Sequence, residues 1–273
     1  MLEFRLTRSK LESLIPGHPI DKRVVDMVAM RNACSIQHLK HPTFLCLPPR
    51  FAHDVERGLS AQELAEAYIP FWIKPSRFIS HIFMPMEDSF HHSFCMVVDY
   101  DLKMAFRLDS WPEPLMVPEQ EGLMRKVLRM LQDIMTSSTY GPLRLHTPPN
   151  LGGWPIRAAE GIPNCDTRLF STAWVISWLN PEGRFNLFRL NGVLDDSTLR
   201  GRIAVELVSS PFNAHAGLAR YWAEQWQRKR TSGRVGDILV SSAMIVTGQM
   251  DGGHHVKAAA EYSCAVADDL TYP

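Results

Sequence analysis

The sequence lacks three features that would each point to a broad class of protein. It carries no excess charge, since 29 lysines and arginines balance 29 aspartates and glutamates, which argues against a nucleic-acid binder that relies on a basic surface. It has no apolar run of the roughly 20 residues that a membrane span needs, so we expect no membrane association. The first residues, MLEFRLTRSKLESLIP, lack the continuous apolar stretch of a secretory signal. These absences predict an intracellular protein, nuclear or cytoplasmic.

Cysteine is sparse, and closely spaced metal ligands are absent. The five cysteines are odd in number and form no C-x-x-C pair, which excludes a disulfide framework and a zinc site of ordinary spacing. The eleven histidines include neighbours such as His91-His92, but these lack partner ligands at metal-binding spacings. No glycine-rich phosphate loop is visible. We therefore predict no metal and no cofactor.

Apolar residues, at 45% of the 273 positions, are frequent enough to bury a large core. They recur with helical spacing in residues 21–35 and 118–136, while Ser60 and Glu63 form a capping box for a helix over 60–68. Further helices are predicted over residues 166–179, 195–208 and 214–230. The stretch 139–165 is rich in proline and glycine, so the sequence predicts that it is irregular.

Three consecutive segments have the composition of strands, namely residues 78–85 (closed by Pro85), 93–99 and 104–109. Their short polar links predict an antiparallel meander, and the helices around it indicate an α+β domain. We expect three regions: an N-terminal segment over 1–20, one domain over 21–230, and a C-terminal tail over 231–273 whose composition suggests flexibility.

His92 and Asp109 mark the two ends of the predicted hairpin formed by the second and third strands. Because a hairpin returns the chain to where it began, both side chains should lie at the same end of the sheet. A carboxylate there fixes the tautomer and orientation of an imidazole, as in nucleophilic triads. The alternative is an ordinary hairpin with two polar ends. The pair alone does not decide between them.

Four motifs give the chain a resemblance to a known family. They are Phe83-Met84-Pro85-Met86, the segment from His92 to Asp99, Leu108-Asp109-Ser110, and Gly161-Ile162-Pro163-Asn164-Cys165-Asp166-Thr167-Arg168-Leu169-Phe170. In this order they resemble the ubiquitin-like-protein-specific cysteine proteases, the SUMO-protease and adenain-like family. The resemblance implies a papain-like fold, with a mostly antiparallel central sheet flanked by helices. It also implies a cysteine-type hydrolase site at His92 and Asp109, and a ubiquitin-like modifier as the partner.

The fourth motif departs from the family at three positions. Thr167 stands where the family has its nucleophilic cysteine, Arg168 where it has glycine, and Gly161 where it has the oxyanion-hole glutamine. A threonine hydroxyl stays protonated at neutral pH and is not a substitute for a thiolate. Loss of one oxyanion donor alone slows such reactions by about 10²–10³-fold. We therefore expect a protein-binding pseudo-protease, with the Arg168 guanidinium narrowing the cleft.

Cys165 provides an alternative, because it lies two residues before Thr167 at the start of the same predicted helix. Helix dipoles lower a thiol pKa at that place and favour the thiolate. A shifted register would then give an active cysteine peptidase that uses His92, Asp109 and Cys165. The sequence leaves this second hypothesis open.

Overall fold

The computed structural model describes residues 8–40, 42–74, 79–136, 150–159, 166–177 and 196–231. The strands are β1 (Phe44–Cys46), β2 (His81–Glu87), β3 (Ser93–Asp99), β4 (Met104–Leu108) and β5 (Ile156–Ala158). The helices are α1 (Arg8–Glu12), α2 (Lys22–Gln37), α3 (Pro49–Glu56), α4 (Ala61–Tyr68), α5 (Val117–Thr136), α6 (Thr167–Ser177), α7 (Asp196–Val208) and α8 (Ala216–Thr231). The predicted tail after residue 231 lies outside the described residues.

The strands form one mixed sheet in the order β1-β2-β3-β4-β5. Strands β2, β3 and β4 pair antiparallel, as the short polar links predict, with His81 opposite Asp99 and Val97 opposite Phe106. All seven residues of β3 are buried, which is expected of the middle strand of a sheet covered on both faces. The α+β class that the sequence predicts is confirmed.

Both edge strands were missed by the sequence analysis, and both pair in parallel. β1 lies beside β2 after a crossover through α3 and α4, and β5 lies beside β4 after a crossover through α5. No helix was predicted at α3. The prediction that residues 139–165 are irregular is wrong at β5, because these three residues become a strand only by pairing with β4.

Proline at position 85 does not end β2, contrary to the prediction. The Leu47 amide donates to the Phe83 carbonyl at 2.8 Å, so this side of β2 faces β1. Two residues further on, Pro85 turns its nitrogen to the same side, beyond the last pairing with β1 at Phe83. A proline there removes no hydrogen bond from the β1–β2 ladder, so the strand continues to Glu87.

Local capping signals fix the starts of three helices. The Asp21 carboxylate accepts the Arg23 amide before α2, and Ser60 forms the predicted capping box with Glu63 at α4. Asp166 caps α6, where its carboxylate accepts the Leu169 amide at 2.7 Å. These caps explain why the observed helices begin within two residues of their predicted starts.

Two groups of helices surround the sheet. α6 packs against β3 and is held between α2 and α7, while α5 packs against α3 and α4. Helix α5 buries a broad apolar face that includes Met124, Leu128 and Met135, while Met130 is only partly buried. None of the described helices has both the length and the apolar character needed to cross a membrane.

Candidate active site

The end of the sheet where β3 begins and β4 ends brings His92 and Asp109 together. The distance from His92 Nε2 to Asp109 Oδ1 is 2.8 Å, the contact that the hairpin predicts. The side chains of His92 and Asp109 are 13% and 3% exposed. Because a carboxylate can only accept, Nε2 carries the proton of this hydrogen bond. Nδ1 is thereby left as the ring atom available to other groups.

The Asp109 carboxylate is held in its charged form. It also accepts the Trp111 amide at 2.9 Å. Burial raises the pKa of Asp109, but the hydrogen bonds from His92 and Trp111 outweigh it and lower the pKa below its ordinary value. The hydrogen bond to Asp109 in turn raises the pKa of His92, against the smaller effect of burial. The pair therefore favours an imidazolium beside a carboxylate.

A second carboxylate, that of Asp88, fixes the backbone on the other side of His92. Its Oδ1 accepts the Phe90 amide at 3.1 Å and the His92 amide at 3.0 Å, while the Asp88 amide donates to the His92 carbonyl at 3.0 Å. Between them His91 has a φ of 61°, a left-handed conformation in which histidine is enriched. The turn before β3 is thus closed by the side chain of its own first residue.

The two carboxylates are joined through the buried amide of Gln120 on α5. Its Nε2 donates to Asp88 Oδ2 at 3.1 Å and to Asp109 Oδ2 at 3.4 Å, and its Oε1 accepts from Arg107 Nη1 at 2.6 Å. Sequence analysis missed Asp88, Arg107 and Gln120. One signal was present, because Gln120 is a polar residue on the apolar face of α5, three residues before Leu123.

Thr167, the first residue of α6, reaches the same end of the sheet. Its Oγ1 lies 3.3 Å from the amide nitrogen of Ser93, the residue that follows His92. The hydroxyl accepts this hydrogen bond and keeps its own proton for another acceptor. The structure thus brings together three of the residues singled out in the sequence, His92, Asp109 and Thr167. Their catalytic roles stay a prediction, and Gly161 and Cys165 lie outside the described residues.

Arg168 turns toward the C-terminal end of β2, which lies beside the site, and toward the segment before α2. Its Nη2 lies 3.7 Å from Glu87 Oε2, and its Nη1 donates to the Ile20 carbonyl at 3.4 Å. The other oxygen of Glu87 lies 2.6 Å from His91 Nδ1. The guanidinium therefore links α6 to two segments beside the site.

Chemically, the arrangement provides an oriented imidazole and a hydroxyl. When neutral, His92 offers Nδ1 as a base; when protonated, it offers Nδ1–H as a charged donor. Among the described residues, no group of three or more histidine, cysteine or acidic side chains could hold a metal ion.

No family model and no curated protein matches the chain. Among solved structures it is similar to the SUMO protease Ulp1 with its catalytic cysteine oxidised to a sulfenic acid, at 12% identity over 74% of this chain and 83% of that chain, with a TM-score of 0.46. It is also similar to the C-terminal Ulp1 protease domain in complex with Smt3, the yeast ortholog of SUMO (14% identity, 77% and 87% coverage, TM-score 0.43). A third is a Ulp1-like SUMO protease catalytic domain from Chaetomium thermophilum (13% identity, 77% and 78% coverage, TM-score 0.41). Likeness at this level does not extend to activity, which must be argued from the residues of this chain.

Proposed function

We propose that this chain is an intracellular ubiquitin-like-protease-type domain that binds a ubiquitin-like modifier of the SUMO kind, or another protein, without cleaving it. One observation carries the proposal. The hydroxyl of Thr167 lies at the start of α6, 3.3 Å from the amide nitrogen of Ser93. Ser93 directly follows His92, whose ring is paired with Asp109. This supports the proposal, because a threonine hydroxyl at the nucleophile position would take the place of the thiol that a cysteine peptidase needs.

A threonine at this place is a poor nucleophile for a physical reason. Internal threonines have no terminal amine to take up their proton, and the hydroxyl is not ionised near neutral pH. The raised pKa of His92 further reduces the fraction of neutral imidazole that could act as a base. The pair is therefore suited to donate hydrogen bonds rather than to activate a hydroxyl.

Exposed apolar side chains in the turn before His92 and in the segment after Asp109 support a protein as the ligand. Phe90 is 66% exposed, Trp111 56% and Leu115 88%. Phe90 and Trp111 are fixed by the site itself, since their amides bind the Asp88 and Asp109 carboxylates. Aromatic side chains presented on a fixed backbone are typical anchors of protein–protein interfaces.

A modifier that carries an electrophile at its C-terminus tests the proposal. We would incubate the wild-type chain with electrophile-bearing ubiquitin and SUMO, and measure binding of the unmodified modifiers by calorimetry. We expect binding of at least one modifier without covalent labelling, because Thr167 does not form a thiolate. Cys34, Cys46 and Cys95 are buried and should stay unlabelled.

Two outcomes would contradict the proposal. Labelling that is abolished by Cys165→Ala, together with cleavage of a modifier fusion, would establish the active cysteine peptidase that uses His92, Asp109 and Cys165. Absence of binding to any modifier, with no labelling, would remove the ubiquitin-like modifier as the partner.

A further inference from the structure

Protonation of His92 changes what its outward nitrogen can bind. Because Nε2–H is committed to Asp109 at 2.8 Å, the neutral ring has an unprotonated Nδ1, which is an acceptor. The imidazolium instead has an Nδ1–H, which is a charged donor. Among the residues that the structure describes, none forms a hydrogen bond with this nitrogen.

Thr167 supplies no anion to balance this imidazolium. In a cysteine–histidine pair, the thiolate lies against the imidazolium and balances it. Thr167 stays neutral, and its Oγ1 accepts the Ser93 amide, which leaves the hydroxyl proton as a second donor. A hydroxyl in place of a thiolate therefore carries no negative charge, and both His92 and Thr167 have a proton to donate at this end of the sheet.

The charges that face His92 come from each neighbouring element. Asp109 and Arg107 lie on the side of β4 and Asp88 in the turn before β3, while α5 contributes the neutral Gln120. On the side of α6, the charge of Arg168 lies near that of Glu87. The negative charges of Asp109 and Asp88 together outweigh the positive charge of Arg107, so the charges near the ring favour the imidazolium.

We infer that this site takes the C-terminal carboxylate of a mature, unconjugated ubiquitin-like modifier in preference to the amide of a conjugated one. The inference rests on the proposed function and names the form of the modifier that the same site selects. A carboxylate accepts from both His92 Nδ1–H and the Thr167 hydroxyl, and it supplies the missing negative charge. The amide of a conjugate supplies no charge, and hydrogen bonds to charged groups are roughly twice as strong as those between neutral groups.

A matched pair of ligands tests the inference. We would measure by calorimetry the affinity of the full chain for mature SUMO, and for mature ubiquitin, each ending either in its carboxylate or in the corresponding carboxamide. At about pH 6 we expect the carboxylate form to bind about tenfold more tightly. At about pH 8.5 the preference should shrink, because His92 loses its proton as the pH rises through its pKa.

Two variants assign the preference to a residue. His92→Gln keeps an N–H for Asp109 but cannot be charged, so the preference for the carboxylate should disappear at both pH values. His81→Gln is the matched control, because His81 lies 3.4 Å from Asp99 at the opposite end of β2 and β3, and it should keep the preference.

The outcomes separate the inference from the function beneath it. Equal affinity for carboxylate and carboxamide overturns the inference and leaves the proposed function standing. A preference that survives His92→Gln, or that His81→Gln abolishes, also overturns the inference. Binding of neither form of either modifier overturns the proposed function, and the inference with it.

Discussion

If Thr167 stands at the nucleophile position, as proposed, its hydroxyl and methyl group take the place of the thiol that a cysteine peptidase would need. The His92–Asp109 pair is present at 2.8 Å, and the Asp88 carboxylate holds the His92 amide at 3.0 Å. These hydrogen bonds among polar side chains form whether or not a thiol is nearby. A contribution to the stability of the fold therefore explains these hydrogen bonds as well as a catalytic role would.

Introducing a thiol at position 167 should give a cysteine that reacts with alkylating agents. In the double variant Thr167→Cys with Arg168→Gly, the new thiol begins α6 beside the imidazole, so its pKa should fall below the ordinary value of about 8.5. We expect one additional cysteine per chain to be alkylated by iodoacetamide near neutral pH. The rate as a function of pH, followed by mass spectrometry, gives the thiol pKa.

Adding His92→Gln to this double variant is the control. The thiol should then titrate close to its ordinary value, since no imidazolium remains to stabilise the thiolate. Alkylation no faster than in the wild-type chain would mean that Thr167 does not correspond to the family's cysteine.

At the scale of helices and strands, the sequence was informative wherever the signal is local. The capping box of Ser60 and Glu63 and the apolar spacing of α2 and α5 correspond to observed helices. β1 and β5 have only three residues each, too few to show a period, and they are strands because of distant parallel partners.

The candidate site divides in the same way. The His92–Asp109 pair lies at the two ends of one hairpin, so the positions of the predicted strands in the sequence were enough to predict it. The amide of Gln120 joins carboxylates from two different turns across 32 and 11 positions of sequence, which no local pattern encodes. The role of Arg107 could not be predicted either, because its hydrogen-bond partner, Gln120, lies on a different element, α5.

Gln120 should contribute strongly to stability through the elements that it joins. Gln120→Leu leaves two carboxylates and the Arg107 guanidinium short of buried hydrogen bonds, so we expect a loss of about 3 kcal/mol in the free energy of unfolding. Urea denaturation followed by circular dichroism measures the loss. Gln132→Leu on the same helix is the control, because the Gln132 side chain makes one hydrogen bond with a described residue, accepting the Gly152 amide at 3.4 Å, and the change should cost less than about 1 kcal/mol. Equal losses for both variants would show that the network adds nothing.

For the whole molecule, the His92–Asp109 pair predicts how stability depends on pH. The pKa of His92 is raised above 6.5 by folding, so its contribution is fully present below 6.5 and is lost as the pH rises through the folded value. The pKa of Asp109 is lowered below 3.8, so its contribution is present above 3.8 and is lost as the pH falls through the folded value. We expect the free energy of unfolding to decline on the alkaline side of 6.5.

The variant His92→Gln should lack this alkaline decline. Asp26 does not interfere with the measurement. Burial raises its pKa from 3.8 to about 6, so Asp26 makes stability depend on pH mainly between those two values. Urea midpoints measured from about pH 6 to about pH 9 compare the two proteins. Parallel curves would show that His92 does not titrate differently in the folded chain.

The order of the sheet also bears on how the chain folds. Each described strand lies beside the one that precedes it in sequence, and the two tight turns of β2, β3 and β4 close the shortest loops. Short loops cost the least entropy to close, so these strands should gain protection in pulse-labelling hydrogen exchange before α6 does. His92 and Asp109 belong to the hairpin that is expected to form early. Thr167 belongs to α6, which is distant in sequence and is expected to pack later. The imidazole and its carboxylate should therefore pair before α6 packs against the sheet.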